Sequence, residues 1–281
     1  MTEDEIYLFD LNGYIVIEQL LSHDEVARCN EAIDQQVVDG HAHWHERVEN
    51  ESLSGSSETM AGTSHRQELR GNVLTWDRPR CDLFREMIAH PRVLPYFHEI
   101  LGERYRLDAG PSVMGTRPGA EGHTLHNGGG EMKDIVHCYF FKNGRIFSGM
   151  IVLEVLLADE GPDDGGLAVI PGSHKANLPC PRDIKLWKTH REHVRKIPGR
   201  AGDAVIFTEA LTHGALPWSA DHDRRIVLSR FNPRCMVYHK ITREATDQDA
   251  LREMTDAQRS AVAIPGVSPG ILVRHEESFK G

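Results

Sequence analysis

Short apolar or alternating runs, separated by turn residues, fill the chain from Tyr105 onward and constrain its fold more than any other feature. Turn segments such as Gly-Pro-Asp-Asp-Gly-Gly and Pro-Gly lie between the runs. Many short strands of this kind are typical of a β-sandwich or barrel. The pattern therefore predicts a mainly β core. The runs cover residues 135–141, 150–157, 167–170, 204–208 and 226–231.

The first hundred residues carry mostly helical signals. Ser22 and Glu25 form a capping-box pattern that predicts the start of a helix. Two more helices are expected over residues 82–89 and 93–101, whereas the β-branched and aromatic residues 13–17 predict a strand. The polar segment 40–70 is expected to form a mobile loop or lid.

These signals predict one domain, because no internal repeat or linker interrupts them. We expect a helical N-terminal cover over residues 1–103 and a β core over residues 104–240. A C-terminal extension over residues 241–281 should contain a last helix that starts at Thr255.

Charge and cysteine content exclude several classes of protein. The net charge is −10, which gives the chain no general attraction to nucleic acid polymers or anionic membranes. The five cysteines are widely spaced and odd in number, which disfavours a disulfide framework and fits a reducing compartment. The longest apolar stretch, residues 150–158, is too short to cross a bilayer, and the acidic start does not resemble a signal peptide. We therefore expect a cytoplasmic protein with a small-molecule substrate.

The chain contains 17 histidines, and two of them stand in a distinctive context. His126 lies in the glycine-rich segment GHTLHNGGG, and His213 directly follows a strongly apolar run. Arg224 comes eleven residues after His213 and begins another predicted strand. Histidines are common metal ligands, and an arginine fork binds a carboxylate in a bidentate manner. The alternative is two structural histidines and a surface arginine.

The segments LNGYIVIEQLLSHDEV, GPDDGGLAVIPGSHK and AGDAVIFTEALTHGALPW resemble the phytanoyl-CoA dioxygenase family of Fe(II)/2-oxoglutarate oxygenases. The resemblance implies a double-stranded β-helix, or jelly roll, that uses Fe(II), 2-oxoglutarate and O₂. It also implies that His213 is the distal iron ligand and that Arg224 binds the 5-carboxylate of 2-oxoglutarate. His126 would be the first residue of the H-x-D iron-binding motif of the family.

The chain departs from the family pattern at Gly128, which stands where the H-x-D motif has its aspartate. Residues i and i+2 of a strand point the same way, so a glycine here would open one iron position to a small anion such as chloride. The replacement resembles that of the non-haem iron halogenases. It predicts chlorination of an unactivated C–H group, with succinate and CO₂ released.

Several alternatives to a halogenase remain open from the sequence. Asn127 could offer its amide oxygen, although its side chain should point to the opposite face of the strand. Glu131 or Asp134 could supply a replacement carboxylate, which would make the protein a hydroxylase of a small-molecule metabolite. A third alternative is a non-catalytic, cupin-like binding protein.

The chain resembles nucleotide halogenases in its length, its phytanoyl-type motifs and its H-x-G sequence. This resemblance implies C2′ of 2′-deoxyadenosine monophosphate as the site of chlorination. The absence of a basic docking patch argues against a carrier-protein partner. A nucleotide needs cations for its phosphate and an aromatic surface for its base. The candidates for these contacts are Arg66, Arg70, Arg117, Lys133, Arg195 and Trp218, with Trp76, Tyr139 and Phe141 as further stacking residues.

Overall fold

The computed structural model describes residues 1–47, 57–131, 134–239 and 247–266 of the 281-residue chain. Two antiparallel sheets of seven and four strands form the core, and a separate two-stranded hairpin lies beside them. In spatial order, the large sheet consists of β1 (Tyr14–Ile17), β11 (Ala204–Thr208), β8 (Ile151–Leu156), β13 (Arg224–Pro233), β4 (Tyr105–Thr116), β3 (Arg66–Arg70) and β2 (His43–Arg47). The small sheet consists of β10 (Arg195–Lys196), β9 (Gly166–Val169), β12 (His213–Leu216) and β5 (His123–His126), and the hairpin of β6 (Tyr139–Lys142) and β7 (Arg145–Ser148).

Seven helices flank the strands of the described chain, most of them before β4. Ser22 and Thr255 each begin a helix with a complete capping box, so both predicted helix starts are confirmed. The helices predicted near residues 82 and 93 are confirmed as well. The helices are α1 (Glu3–Asn12), α2 (His23–Val38), α3 (Asp82–Met87), α4 (Leu94–Leu101), α5 (Arg182–Lys185), α6 (Gln248–Glu253) and α7 (Asp256–Val262).

The centre of the large sheet is buried on both faces, which explains the nearly continuous apolar sequence of β8. Alternate side chains of a strand point to opposite faces. Leu153 and Val155 pack with the N-terminal helices in the main hydrophobic core. Val152 packs toward the small sheet, together with Phe207 of β11. The space between the two sheets is therefore the interior of the β core.

The N-terminal part is less helical than the sequence predicted. Besides helices α1 to α4, residues 1–103 contribute three strands to the large sheet, of which β1 was predicted and β2 and β3 were not. The predicted loop over residues 40–70 is wrong at both ends, because β2 and β3 pair there in antiparallel register. The polar composition of this segment reflects the exposure of β2 at the edge of the large sheet. The middle of the expected lid, residues 48–56, lies outside the described residues.

The strands predicted from residue 150 onward are confirmed to within two residues at their boundaries, and β13 extends two residues beyond its predicted range at each end. The run over residues 135–141 is an exception, since a 3-10 turn (Ile135–His137) precedes β6. No helix in the described ranges is long and apolar enough to cross a membrane.

Candidate metal centre

His126 and His213 face each other across two neighbouring strands of the small sheet. His126 is the last residue of β5, His213 is the first of β12, and the two are direct partners in the antiparallel register. Their ring centroids lie 4.3 Å apart. Residues 87 positions apart in the sequence are therefore brought together by strand pairing.

Each histidine is oriented by a hydrogen bond from its own ring to the backbone. Nδ1 of His126 donates to the carbonyl oxygen of Thr124 at 3.1 Å, and Nδ1 of His213 donates to that of Leu211 at 2.7 Å. In a neutral ring this leaves the lone pair on Nε2, which is the usual arrangement of a metal-binding histidine. Burial lowers the pKa of His126 to about 3, with a further contribution from His213, and burial also lowers the pKa of His213. Both rings are therefore neutral near pH 7.

Glu209 places a buried carboxylate beside the two histidines. It lies in the turn between β11 and β12, and its Oε1 is 4.0 Å from Nε2 of His213. Ligand atoms of Glu209, His126 and His213 all lie within 4.8 Å of one another. Two histidines and one carboxylate are the ligand set of non-haem Fe(II) oxygenases.

The surroundings of Glu209 fit a metal ligand. Asn127 Nδ2 donates to Oε1 at 3.3 Å and to the backbone oxygen of Glu209 at 3.0 Å, which holds the turn in place. The other oxygen, Oε2, is buried and has no hydrogen-bond partner among the described residues, although Nε of Arg230 lies 3.9 Å away. Burial alone would raise the pKa of Glu209, but the positive charges of His213 in its protonated form and of Arg230 lower it below its ordinary value, so the carboxylate is ionised near pH 7. An ionised, buried oxygen without a hydrogen bond is what a bound cation would satisfy.

Glu209 was not among the residues predicted from the sequence. The signal that could have found it is a single charged residue within the apolar segment AVIFTEALTHGAL, four positions before the distal histidine. A charged residue is seldom fully buried without a partner.

The structure corrects the geometric argument for Gly128. Strand β5 ends at His126, and the next two residues have left-handed backbone angles, with φ of +61° at Asn127 and +122° at Gly128. The i, i+2 rule for strands therefore does not apply here. A Cβ atom added to Gly128 would lie 2.6 Å from Oγ1 of Thr212. Asn127, expected to point away, instead contacts Glu209.

Neither carboxylate proposed as a replacement is part of this cluster. Glu131 forms an ion pair with Lys185. Asp134 caps the 3-10 turn through the backbone amide of Val136 and accepts a hydrogen bond from His137 at 2.9 Å. Each carboxylate is held by its own local partner.

Next to the histidines, a cavity of about 110 Å³ lies between the two sheets. Arg224 reaches it from β13 and is fully buried between two carboxylates. Its Nε donates to Oε1 of Glu160 and its Nη2 donates to Oε1 of Glu154, both at 2.7 Å. Among the described residues, the guanidinium keeps further N–H groups that could bind another anion.

The two glutamates beside Arg224 are unusual because both are buried. Burial raises the pKa of Glu160 to about 7, against the lowering influence of Arg224 and with a further raising contribution from Glu154. Burial raises the pKa of Glu154 as well. The cluster can therefore hold a proton near neutral pH, which would make room for the negative charge of another carboxylate.

A third histidine, His123, joins the wall of the cavity through an irregularity in β5. His213 pairs with His126 and Ala215 pairs with His123, so β5 has one residue more than β12 over this stretch. Such a β-bulge changes the direction of the following side chains. It brings the ring of His123 to 4.6 Å from that of His126.

The predicted substrate residues fall in different places. Arg66 lines the cavity. Lys133 lies outside the described residues. Trp218 does not offer a stacking surface, because it is buried and its Nε1 donates to the carbonyl oxygen of His222. Arg195 is bound to the hydroxyl of Tyr14 on the edge strand β10.

The remaining predicted contacts are also separate from the cavity as the described residues define it. Arg70 is exposed at the end of β3, and Arg117 lies beside a smaller neighbouring cavity. Trp76 packs against Phe84 in the core. Tyr139 donates a hydrogen bond to Asp10, and Phe141 is exposed on the hairpin.

Two histidines and a carboxylate inside a jelly roll are the arrangement of the Fe(II)- and 2-oxoglutarate-dependent oxygenases. Comparisons with known proteins agree with this class. The sequence model of the phytanoyl-CoA dioxygenase (PhyH) family matches residues 9–226, and the chain belongs to this family of oxidoreductases. The predicted family and jelly-roll fold are thus confirmed.

Relatives of this chain are named after a small molecule, and solved structures with this fold contain several others. Ectoine dioxygenases of Sphingopyxis alaskensis and Nocardia farcinica are 25% and 23% identical over 228 and 238 residues. These alignments cover 74% and 75% of this chain and 68% and 71% of the two enzymes. HygX from Streptomyces hygroscopicus with nickel, 2-oxoglutarate and hygromycin B has a TM-score of 0.63 at 18% identity, covering 95% of this chain and 98% of HygX. EctD from S. alaskensis with 2-oxoglutarate and 5-hydroxyectoine has a TM-score of 0.56 at 20% identity, covering 83% and 76%.

Proposed function

We propose that this protein is an Fe(II)/2-oxoglutarate-dependent hydroxylase of a small polar molecule. In this proposal His126, His213 and Glu209 hold the iron, and Arg224 receives the 5-carboxylate of 2-oxoglutarate. The observation that carries the proposal is the buried carboxylate of Glu209 beside the two histidines. It supplies the third ligand that the H-x-G sequence otherwise lacks.

When bound, the iron would supply the activation of O₂, so that a substrate C–H becomes C–OH while 2-oxoglutarate becomes succinate and CO₂. The side chains and backbone of the protein position the proposed metal ligands and set their charge states. Asn127 holds Glu209 in place by hydrogen bonds, Arg230 favours its ionised form, and the backbone carbonyls of Thr124 and Leu211 set the tautomers of the histidines. The buried walls of the cavity exclude bulk water from the reacting carbon.

The small-molecule substrate class is supported by relatives that are ectoine dioxygenases and by a structural neighbour that holds hygromycin B. Both names describe those proteins. For this chain they favour a hydroxylase that acts on a free polar metabolite rather than on a polymer.

A second candidate function is chlorination, favoured by Gly128 at the position of the family aspartate. The balanced reaction would consume the substrate, 2-oxoglutarate, O₂, chloride and a proton, and it would release the chlorinated product, succinate, CO₂ and water. The nucleotide 2′-deoxyadenosine monophosphate is the substrate that the resemblance suggests for this activity. Glu209 opposes this candidate, because a carboxylate ligand and a chloride ligand would compete for the same charge on the metal.

Chloride dependence separates the two candidates without knowledge of the substrate. The anaerobic protein is titrated with Fe(II) and 2-oxoglutarate, and the visible charge-transfer band is followed with and without chloride at constant ionic strength. A hydroxylase with Glu209 on the iron should show the same band and the same 2-oxoglutarate affinity in both conditions. A halogenase should bind 2-oxoglutarate more tightly when chloride is present.

Two variants make this comparison specific to Glu209. In Glu209→Ala the third ligand is lost, so the Fe(II) affinity should fall and chloride sensitivity should appear. Glu131→Ala is the matched control, because it removes a carboxylate from outside the cluster and should behave as wild type. A wild-type band that responds to chloride, together with an unchanged Fe(II) affinity in Glu209→Ala, would reject the hydroxylase assignment.

A further inference from the structure

Glu154 and Glu160 hold the guanidinium of Arg224 from different sides. Glu154 belongs to β8 and lines the cavity, on the same face of the strand as Val152. Glu160 follows β8 in the chain and is not part of the cavity lining that the described residues form. The carboxylate of Glu154 therefore lies on the side from which a ligand in the cavity would reach Arg224.

The bond from Arg224 to Glu154 uses a nitrogen that a bidentate ligand also needs. A guanidinium offers two pairs of parallel N–H groups, Nε with Nη2 and Nη1 with Nη2. Nη2 belongs to both pairs and is bonded to Oε1 of Glu154 at 2.7 Å, while Nε is bonded to Glu160. A carboxylate that binds Arg224 through two hydrogen bonds must therefore lie beside Glu154.

A carboxylate in this place meets negative charge that Arg224 alone does not balance. One arginine between two ionised glutamates leaves a single net negative charge, and a docked carboxylate would add a second. The side chains are buried, so like charges repel strongly because the surroundings screen them poorly. Arg66 of β3 also acts on Glu154 as a positive charge. Among the described residues, the other titratable side chains of the cavity lining are Arg47, Glu68, His123, His126, His213 and Arg230.

Taking up a proton would relieve this repulsion. Burial raises the pKa of Glu160 to about 7 and raises that of Glu154 as well, against the lowering influence of Arg224. The two carboxylates can thus share one proton near neutral pH. A neutral carboxylic acid beside Arg224 would also donate a hydrogen bond to an incoming carboxylate.

We infer that Glu154 sets the affinity for 2-oxoglutarate, because its negative charge opposes the docking of the 5-carboxylate on Arg224 and makes docking depend on the uptake of a proton. This inference rests on the proposed function, since it takes Arg224 as the cosubstrate site. The proton comes from the solvent and stays on the pair of Glu154 and Glu160 while 2-oxoglutarate is bound.

The test measures 2-oxoglutarate binding to the anaerobic Fe(II) protein by isothermal titration at constant ionic strength. Glu154→Gln keeps an oxygen that accepts a hydrogen bond from Nη2 but removes the charge, so it should bind 2-oxoglutarate about tenfold or more tightly than wild type at pH 8. Glu154→Asp keeps the charge and should gain no affinity. Glu131→Gln is the matched control, because it removes a carboxylate that is paired with Lys185 outside the cluster, and it should bind as wild type does.

Titrations in buffers of different ionisation enthalpy count the proton directly. Wild type should take up close to one proton per bound 2-oxoglutarate at pH 8 and much less at pH 6, where the glutamate pair already holds a proton. Its affinity should stay level below pH 7 and fall by up to about tenfold per pH unit above it. In Glu154→Gln both the proton uptake and the pH dependence should be small. A purely structural role of Glu154 would not produce this profile.

The outcomes separate this inference from the proposed function. Binding of 2-oxoglutarate to wild type without proton uptake would overturn the inference and leave the proposed function standing. An affinity that Glu154→Gln leaves unchanged or weakens would do the same, provided that the charge-transfer band shows the cosubstrate on the metal. If Glu154→Gln does not fold, the proton count and pH profile of wild type still decide. A wild-type protein with neither band nor binding would reject the proposed function and the inference with it.

Discussion

Introducing an aspartate at Gly128 should damage the site rather than restore the family motif. At φ of +122° any side chain is strained, which costs about 1–3 kcal/mol. The new Cβ would also approach Oγ1 of Thr212 to 2.6 Å, and this hydroxyl donates a hydrogen bond to the carbonyl oxygen of Asn127 at 3.1 Å. Losing that hydrogen bond costs about 1 kcal/mol more. Gly128→Asp should therefore be destabilised by roughly 2–4 kcal/mol.

Urea denaturation of five variants, including the single variant Thr212→Ala, separates the parts of this effect. Gly128→Ala should lose about as much stability as Gly128→Asp, because the damage comes from the Cβ and not from the carboxylate. Gly144 also has a positive φ, of +74°, but nothing lies within 4 Å of an added Cβ, so Gly144→Ala should show only the backbone strain. Gly128→Ala/Thr212→Ala should recover about 1 kcal/mol relative to the sum of the single variants.

The metal affinity of Gly128→Asp decides between the two views of the H-x-G sequence. If residue 128 pointed to the metal, an aspartate there would complete an ordinary ligand set and tighten Fe(II) binding. The observed geometry predicts weaker binding, since displacement of Thr212 disturbs the neighbouring His213. A Gly128→Asp protein as stable as wild type, with higher Fe(II) affinity, would refute this reasoning.

Two further predictions concern the cluster around Arg224. Arg224→Ala should abolish the 2-oxoglutarate charge-transfer band. It should also destabilise the fold by about 3–5 kcal/mol, because it leaves Glu154 and Glu160 buried without their partner. A denaturation curve that matches wild type would contradict this prediction. Burial raises the pKa of Glu160 from its ordinary 4.5 to about 7, so the folded protein holds this proton more tightly than the unfolded chain between those values. That contribution to stability is full below pH 4.5 and is lost as the pH rises through 7. Denaturation at pH 5, 6, 7 and 8 should show this fall in wild type and a weaker one in Glu160→Gln.

The sequence predicted those helices and strands whose local residue pattern agrees with their burial in the folded protein. The capping box at Ser22 satisfies its own helix end, so it is visible without tertiary structure. The apolar strands β8 and β11 are equally clear. The edge strand β2 and its neighbour β3 were missed because Leu69 is the single buried residue among them, and their other, mostly polar residues give the composition of a loop.

The site could be predicted only in part for a similar reason. His126 and His213 have distinctive local sequences, and strand pairing then brings them together. The role of Glu209 depends on the turn between β11 and β12 and on the amide of Asn127, which comes from a distant strand end. The geometry of Gly128 depends on positive backbone angles that no periodicity reveals.

The carboxylate of Glu209 favours hydroxylation, whereas the glycine at position 128 favours chlorination. A divalent metal held by two neutral histidines and Glu209 keeps one net positive charge, and the dianion of 2-oxoglutarate reverses that charge. Adding chloride would place a further anion beside a buried carboxylate, where like charges repel strongly because the surroundings screen them poorly. Glu209 would therefore have to leave the metal, or take up a proton, before a halide could bind. Arg230, 3.9 Å from Oε2 of Glu209, is placed to receive the displaced carboxylate. The balance between these two positions of one side chain is thus the physical quantity that would set the reaction outcome.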